Sequence, residues 1–175
     1  MQIEIRKGMN LYPGSFNAVV APENVMVRSI NSNPDLQRFL FLYIGGNYSR
    51  ILSGIHRDST NFDVRRAFTA HQFFSVIREA SHTIILAEHD PTLFEGAENM
   101  LAPVAGALKD AGRESLVVLY TPAIDRTFAA LMRQADRVIE IATVADLSTL
   151  QSQRVIRMQR NGGPLGGGQR TLEVS

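Results

Sequence analysis

The sequence predicts a doubly wound α/β domain, in which helices cover both faces of a mainly parallel sheet. Two observations predict this class. Short apolar runs alternate along the chain with segments whose apolar residues recur at helical spacing, and such alternation indicates βαβ crossovers. The runs are also apolar without interruption, which is typical of strands buried on both faces of a parallel sheet.

Five apolar runs are the predicted strands of this sheet. Each is rich in Val, Ile, Leu, Phe or Tyr, and together they comprise residues 16–20, 39–44, 83–87, 115–120 and 137–141. Pro91 follows the polar residues 88–90, which indicates that the third strand turns into a loop there.

Three segments between those runs are the predicted helices, at residues 65–80, 95–111 and 123–135. In each segment the apolar residues fall on one helical stripe, as expected for a helix that packs on a sheet. Pro103 lies inside the second segment, so this helix is expected either to be kinked or to start near that residue.

Composition limits the class of protein. The chain has 175 residues, which fit a single domain spanning 1–175, and its net charge of +1 provides no overall attraction to nucleic acid. It contains no cysteine, which excludes disulfides, thiolate metal sites and cysteine nucleophiles. The N-terminus has no apolar run fit for a signal peptide, and no apolar stretch reaches about 18 residues. We therefore expect a cytoplasmic protein with no membrane partner.

The end of the chain has a different pattern. Residues 153–159 and 169–174 are predicted as two strands around the glycine-rich segment 161–168, which makes 153–174 a C-terminal antiparallel hairpin. Basic side chains on a glycine-rich loop can follow a nucleic-acid backbone. Charged residues on an edge strand also prevent aggregation, and no aromatic residue lies among these to stack on bases. The basic residues of this hairpin are Arg154, Arg157, Arg160 and Arg170.

Three segments, in chain order, carry a resemblance to a known family. PGSFNAVV (13–20) looks like the strand "T-G-S-I-T-E-I-x-G" that feeds a P-loop. FLYIGGNYSR (41–50) is similar to a strand ending "Y-I-D-T-E-x-T-F-R". FDVRRAFTAHQ (62–72) looks like "V-A-R-A-F-N-x-x-H-Q", which enters the helix before a Walker B strand. Together they resemble the ATPase core of the archaeal RadA/RadB recombinases, which implies a RecA-like fold of the P-loop NTPase type.

The resemblance places a degenerate P-loop at residues 21–28. A P-loop needs glycines that aim backbone N–H groups at phosphate, a lysine, and a Ser/Thr that holds Mg²⁺. APENVMVR (21–28) has no glycine and no lysine, Pro22 lacks an N–H, and Glu23 adds negative charge. In the simplest register Arg28 stands at the Ser/Thr position. A register shifted by one residue would make Arg28 a phosphate-binding substitute.

The remaining elements of the implied nucleotide site are only partly present. Gly45, Gly46 and Asn47 stand where the family has "D-T-E", and Asn47 could bind a water but could not act as a base. Glu88 matches the Walker B aspartate at the end of the strand 83–90, but without a phosphate cradle it has no evident partner. We therefore expect no catalytic residues, no ATP or Mg²⁺ cofactor and no working ATPase.

Other roles remain open for the same region. His89 is expected on the opposite face from Glu88 and Asp90, and we interpret the three as a polar strand end rather than a metal site. The carboxyl ends of strands are nevertheless where open α/β sheets bind ligands. Asn47, Glu88, Asp90, Tyr120 and Thr121 would gather there as a small-ligand pocket.

Two features of the best-matched segment also have alternatives. His71 and Gln72 are expected to bond to the backbone or pack beneath the sheet rather than to act in a site. Arg65 and Arg66 are either solvated charges on a helix face or part of a contact surface.

The sequence thus predicts a non-catalytic RecA-fold protein that acts as a binding or regulatory module in DNA recombination or repair. Its expected contacts are protein partners, itself included. The family's separate N-terminal domain is expected to be missing, because the chain is predicted to begin at the first core strand. One alternative is an ATPase-like enzyme that binds nucleotide through Arg28 and Glu88. Another is a DNA-binding accessory protein that uses the basic C-terminal hairpin.

Overall fold

The computed structural model describes residues 3–6 and 9–141, which form eight strands and four α-helices. The strands are β1 (Ile3–Arg6), β2 (Met9–Leu11), β3 (Ser15–Val20), β4 (Phe41–Gly45), β5 (Phe62–Arg66), β6 (Ile84–Glu88), β7 (Leu116–Thr121) and β8 (Arg137–Glu140). The helices are α1 (Glu23–Asn31), α2 (Ala70–Glu79), α3 (Leu101–Ala111) and α4 (Arg126–Leu131). Short 3₁₀ turns lie between several of these elements.

Six strands form one sheet in the order β5-β4-β6-β7-β3-β8, and every neighbouring pair in it is parallel. The predicted α/β class with a mainly parallel sheet is confirmed. All five predicted strands are present, as β3, β4, β6, β7 and β8, with bounds that differ by at most two residues. Strands β1 and β2 form a separate antiparallel hairpin.

Helices cover both faces of the sheet, as predicted. Alternate side chains of each strand enter two hydrophobic clusters: in β6, Ile85 and Ala87 face one cluster and Ile84 and Leu86 the other. Helices α2, α3 and α4 pack over the first cluster, and α1 packs over the second. The four strands β3, β4, β6 and β7 are therefore buried on both sides, which explains their uninterrupted apolar sequences.

The predicted helix 65–80 is wrong at its start. Residues Phe62–Arg66 are the edge strand β5, and α2 begins only at Ala70. Arg65 and Arg66 therefore lie on a strand with exposed side chains and not on a helix face. The apolar-run criterion missed β5 because an edge strand with one neighbour remains largely solvated, so its sequence stays polar.

The helix around Pro103 follows one of the two predicted alternatives. Helix α3 begins at Leu101, after a 3₁₀ turn over Glu98–Met100, so Pro103 lies in its first turn. The backbone N–H groups of a first turn have no partner within the helix, and a proline is tolerated there without a kink.

The chain does not begin its fold at the first core strand, contrary to expectation. The hairpin β1–β2 precedes β3, and its strands have only four and three residues. Such short strands are below the length at which alternation in the sequence indicates a strand.

The predicted C-terminal hairpin at 153–174, with Arg154, Arg157, Arg160 and Arg170, lies outside the described residues and stays a prediction. Among the described residues, no helix is long and apolar enough to cross a bilayer.

Candidate functional site

The carboxyl ends of β3, β4, β6 and β7 meet at one edge of the sheet, because these strands are parallel. Of the six predicted site residues in the described part of the chain, five lie at this edge. Asn47 follows β4, Glu88 ends β6, Asp90 follows it, and Tyr120 and Thr121 end β7. The sixth, Arg28, lies on α1. The edge is therefore where a ligand is expected in a sheet of this type.

Glu88 is the central buried charge of this edge, with only 1% of its surface exposed. Its Oε1 accepts the backbone N–H of Arg50 at 2.8 Å, and its Oε2 accepts the Ser49 hydroxyl at 3.0 Å. The Tyr43 hydroxyl, which also contacts Ser49 at 2.7 Å, donates to the same Oε2. The expectation that Glu88 has no partner is wrong, because β4 supplies one donor and the loop after it supplies two.

Tyr43 and Tyr120 contribute hydroxyls near this carboxylate. Burial and then the hydrogen bond and charge of Glu88 raise the pKa of Tyr43 above its ordinary value. Burial, followed by the carboxylates of Glu23 and Glu88, raises the pKa of Tyr120. Both phenols therefore stay protonated donors, and that of Tyr120 donates to the backbone C=O of Ala21 at 3.1 Å. Tyr120 is fully buried, so its side chain belongs to the core rather than to a ligand surface.

The stretch 21–28 is not a loop. Strand β3 ends at Val20 and α1 begins at Glu23, so residues 23–28 form the first six positions of a helix. Arg28 lies more than a turn along α1 and is exposed. Pro22 is the N-cap, and its C=O already accepts the N–H groups of Val25 and Met26 at 3.0 and 3.1 Å. The absence of glycines from this stretch is thus explained by its helical conformation.

Glu23 places a carboxylate in the first turn of α1, where the helix dipole favours negative charge. Its Oε1 lies 3.5 Å from the Arg50 guanidinium. Both side chains are substantially exposed, so the pair contributes little to stability. The pair does link α1 to the loop after β4, on the same side of the sheet as Glu88.

Asp90 closes the turn that follows β6. Its Oδ1 accepts the backbone N–H and the hydroxyl of Thr92 at 3.0 and 2.7 Å, and its Oδ2 accepts the N–H of Tyr48 at 3.2 Å. Burial alone would raise the pKa of Asp90, but these hydrogen bonds hold it below its ordinary value. Asn47 donates from Nδ2 to the Thr92 hydroxyl at 2.8 Å.

Gly46 is required by the position of Asp90. A Cβ at Gly46 would lie 2.5 Å from both Cβ and Oδ2 of Asp90, which is impossibly close. Its φ angle is not positive. The glycine is thus needed for close approach of the two loops.

His89 points to the opposite face from Glu88, as predicted. Its Nε2 lies 2.8 Å from Asp125 Oδ2 and 3.1 Å from the Thr127 hydroxyl, and its ring lies edge-on to that of Phe128. Burial lowers the pKa of His89 despite the Asp125 carboxylate beside it. A neutral imidazole that donates Nε2–H to Asp125 satisfies this geometry.

Asp125 also begins α4. It accepts the N–H of Phe128 at 2.8 Å as the helix N-cap, and it accepts the Thr127 hydroxyl at 2.7 Å. The sequence contained the signal for this residue, an aspartate just before a helical stripe. Nothing in the sequence indicated that it would meet His89.

Thr121 ends β7 and is buried, with 4% of its surface exposed. Its hydroxyl donates to the C=O of Ala123 at 2.7 Å and so stabilises the turn before α4. A cavity of about 130 Å³ lies elsewhere, at the amino ends of β4 and β5, with Phe41, Phe62, Leu36 and His56 among its lining residues. In the described part of the chain, no three His, Asp or Glu side chains are grouped so that they could hold a metal ion.

The segment 62–72 owes part of its sequence to helix capping. Thr69 is the N-cap of α2, and its hydroxyl accepts the N–H of Gln72 at 3.2 Å. The Gln72 side chain in turn accepts the N–H of Phe68 at 2.8 Å. This reciprocal arrangement closely resembles a capping box. The prediction that Gln72 bonds to the backbone is confirmed, whereas His71 is exposed and does not pack beneath the sheet.

No protein-family model matches the chain. It is similar to an uncharacterized protein of Archaeoglobus fulgidus, with 40% identity over 127 residues. The matched region comprises 72% of this chain and 64% of that relative. The chain thus spans somewhat less than two thirds of the relative's length.

Proposed function

We propose that this chain is a RecA-like domain that binds protein partners and does not hydrolyse ATP, in the context of DNA recombination or repair. The observation that carries the proposal is the start of α1 immediately after β3, with Glu23 at its first position. In the recombinase-like interpretation, that junction is where a P-loop would hold phosphate.

The RecA-like part of the proposal draws support from the positions of the three resembling segments. They correspond to β3, to β4 with the loop after it, and to β5 with the start of α2. The segment that resembles a Walker B strand becomes β6, next to β4 in the sheet. All these strands run in the same direction, so the ends that would contact nucleotide lie along one edge.

The non-catalytic part rests on which groups occupy that edge. A phosphate cradle needs free backbone N–H groups and local positive charge. Here Pro22 has no N–H, and the Glu23 carboxylate would repel an anion at the helix N-terminus. An approaching phosphate would also have to compete with Glu23 for Arg50.

Glu88, at the Walker B-like position, also supports the non-catalytic part of the proposal. The Glu88 carboxylate already accepts three hydrogen bonds from within the domain. A buried carboxylate that is satisfied in this manner would have to give up those donors to hold a metal-bound water. Its geometry suits a structural role that joins β6 to the loop after β4.

The test is an ATP-turnover and nucleotide-binding measurement on the purified 175-residue chain. We expect no ATP turnover and an unchanged melting temperature when Mg-ATP is added. A ligand present at 100 times its Kd stabilises a protein by about 2.7 kcal/mol, which corresponds to a shift of several degrees. Measurable ATP turnover would overturn the proposal. A shift of that size with Mg-ATP, and none with Mg²⁺ alone, would contradict the expectation that the start of α1 does not hold phosphate.

If such a shift occurs, the alternative of an altered nucleotide site makes its own prediction. Arg28→Ala should then abolish the shift, whereas the matched variant Arg133→Ala, at another exposed arginine, should keep it. Because Arg28 lies along α1 rather than at its start, we expect the two variants to behave alike.

A further inference from the structure

Strand β5 leaves one side of its backbone without a partner among the described residues, because it pairs only with β4. Two hydrogen bonds define which groups face β4: Phe41 N–H donates to Asn61 C=O, and Ala67 N–H donates to Gly45 C=O, both at 2.9 Å. In a parallel ladder the residues that bond to the neighbour alternate. The N–H and C=O groups of the residues in between therefore point away from the sheet; these residues are Phe62, Val64 and Arg66.

The side chains of this edge are exposed and carry both signs of charge. Asp63, Arg65 and Arg66 are exposed, and they surround Val64, which is itself 39% exposed. Phe68, just past the strand, is 57% exposed. Edge strands are commonly protected by charges, which discourage pairing with another chain. Here the charges have an order that favours one particular pairing.

We propose that β5 pairs with β5 of a second copy of this chain, antiparallel and about a two-fold axis at Val64. In this register Val64 lies opposite Val64 of the other copy, and Phe62 lies opposite Arg66. All three carry the outward-pointing N–H and C=O groups, so they form the hydrogen-bonded pairs of the new ladder. The sheets of the two copies would then join into one twelve-stranded sheet, twice the six strands of one copy.

Charge complementarity selects this register over its neighbours. On the face that carries residues 63 and 65, Asp63 of each copy lies opposite Arg65 of the other. A shift by two residues in one direction places Asp63 opposite Asp63, and a shift in the other direction places Arg65 opposite Arg65. Like charges directly opposite each other destabilise a strand pair, whereas opposite charges stabilise it. Asp63 Oδ2 contacts His82 Nε2 of the same copy at 2.9 Å. The second carboxylate oxygen of Asp63 can accept a hydrogen bond from Arg65 of the other copy.

This inference deepens the proposed function, which assigns protein contacts to the domain, and it rests on that proposal only for its biological role. Two paired edge strands bury less surface than the roughly 1,200–2,000 Å² of a stable complex. We therefore expect a reversible dimer whose population rises with protein concentration. Nucleotide binding enters neither the geometry nor the test, so the two proposals can fail separately.

The experiment is sedimentation velocity of the 175-residue chain between ~1 µM and ~1 mM, the range of weak complexes. We expect the wild type to shift from monomer to dimer as concentration rises. Asp63→Arg and Arg65→Asp should each remain monomeric, because each places like charges opposite one another. An equimolar mixture of these two variants should form the dimer, and the double variant with both changes should recover it.

A second pair of variants tests the position of the two-fold axis. Val64→Lys should prevent dimerisation by placing two ammonium groups on the axis, while Lys109→Ala, distant in sequence and on α3, should not. Circular dichroism of every variant checks that it is folded. A wild type that stays monomeric throughout, or a dimer that survives both single charge reversals, would overturn the proposal.

Discussion

The Glu88 carboxylate accepts the backbone N–H of Arg50 at 2.8 Å, and the guanidinium of the same arginine lies 3.5 Å from Glu23. Arg50 thereby connects the end of β6 with the start of α1 across the carboxyl edge of the sheet. Open α/β sheets usually bind ligands at this edge. Since its polar groups are here bonded to one another, we expect their replacement to affect folding stability first.

Replacement of Glu88 by Gln should lower the free energy of unfolding by about 1–3 kcal/mol, the cost of leaving buried donors without an acceptor. The amide would present N–H groups to Arg50 N–H, Ser49 or Tyr43, all of which donate to the carboxylate. Urea unfolding measures the change. The exposed Glu114 provides the control, and Glu114→Gln should change stability by less than about 0.5 kcal/mol. A Glu88→Gln variant more stable than wild type would indicate a carboxylate kept for an external cation.

Replacement of Gly46 and of Gly106 by alanine should change the stability of the protein in opposite directions. Gly46→Ala would place a Cβ 2.5 Å from the Asp90 side chain, and overpacking of this kind costs about 1–3 kcal/mol. Gly106 lies within α3 and a Cβ there would meet nothing within 4 Å. Gly106→Ala should therefore stabilise the protein by up to about 1 kcal/mol through helix propensity. Thermal unfolding of both variants checks the two signs, and equal effects would contradict the packing argument.

The capping of α2 gives a prediction about the segment that most resembles the recombinases. Thr69→Ala removes the acceptor for Gln72 N–H and should cost about 1 kcal/mol. Ser75→Ala, at an exposed position inside the same helix, should be neutral or slightly stabilising. Chemical denaturation compares them. If Thr69→Ala is neutral, the likeness of this segment to the family cannot be attributed to capping.

Much of the sheet was predictable because burial leaves a direct signature in sequence. Strands β3, β4, β6 and β7 are buried on both faces, so nearly every position is apolar. Strand β5 was missed for the converse reason: it has one neighbour and exposed side chains. Its sequence is therefore set by solvent as much as by the sheet.

The candidate site was predictable in location but not in its contacts. The ends of parallel strands must share an edge, which placed Glu88 and Asp90 with Asn47 correctly. Two of the three donors to Glu88 come from the loop after β4, whose path depends on tertiary packing such as the approach of Gly46 to Asp90. Likewise His89 meets Asp125 across 36 residues. A pattern of neighbouring residues carries no information about a contact between residues so far apart in sequence.

His89 makes stability depend on pH in a defined window. Burial holds its pKa below the ordinary value of 6.5, so the unfolded chain takes up this proton at a higher pH than the folded domain. The free energy of unfolding therefore rises with pH up to about 6.5. It decreases as the pH is lowered from that value, because protonation favours the unfolded state. One proton limits the slope to about 1.4 kcal/mol per pH unit.

The Asp125 carboxylate beside this histidine affects stability in a separate, more acidic pH range. Burial would raise the pKa of Asp125, but the Phe128 N–H, Thr127 and His89 hold it below its ordinary 3.8. The stability that it contributes is present above that value and is lost only as the pH falls through its folded-state pKa. Between about pH 4.5 and 6.5 the His89 effect can thus be measured without that of Asp125.

We expect wild-type stability, measured by urea unfolding, to decline from pH 6.5 to pH 4.5 and His89→Gln to remove a large part of the decline. Glutamine has no proton to gain, yet its side-chain N–H can still donate to Asp125. The control is His56→Gln, since His56 is exposed, and it should follow the wild-type curve. If His89→Gln declines as steeply as wild type, the acid sensitivity belongs to another group. A decline that His56→Gln abolishes would contradict the assignment to the buried imidazole directly, because burial is what separates the two histidines.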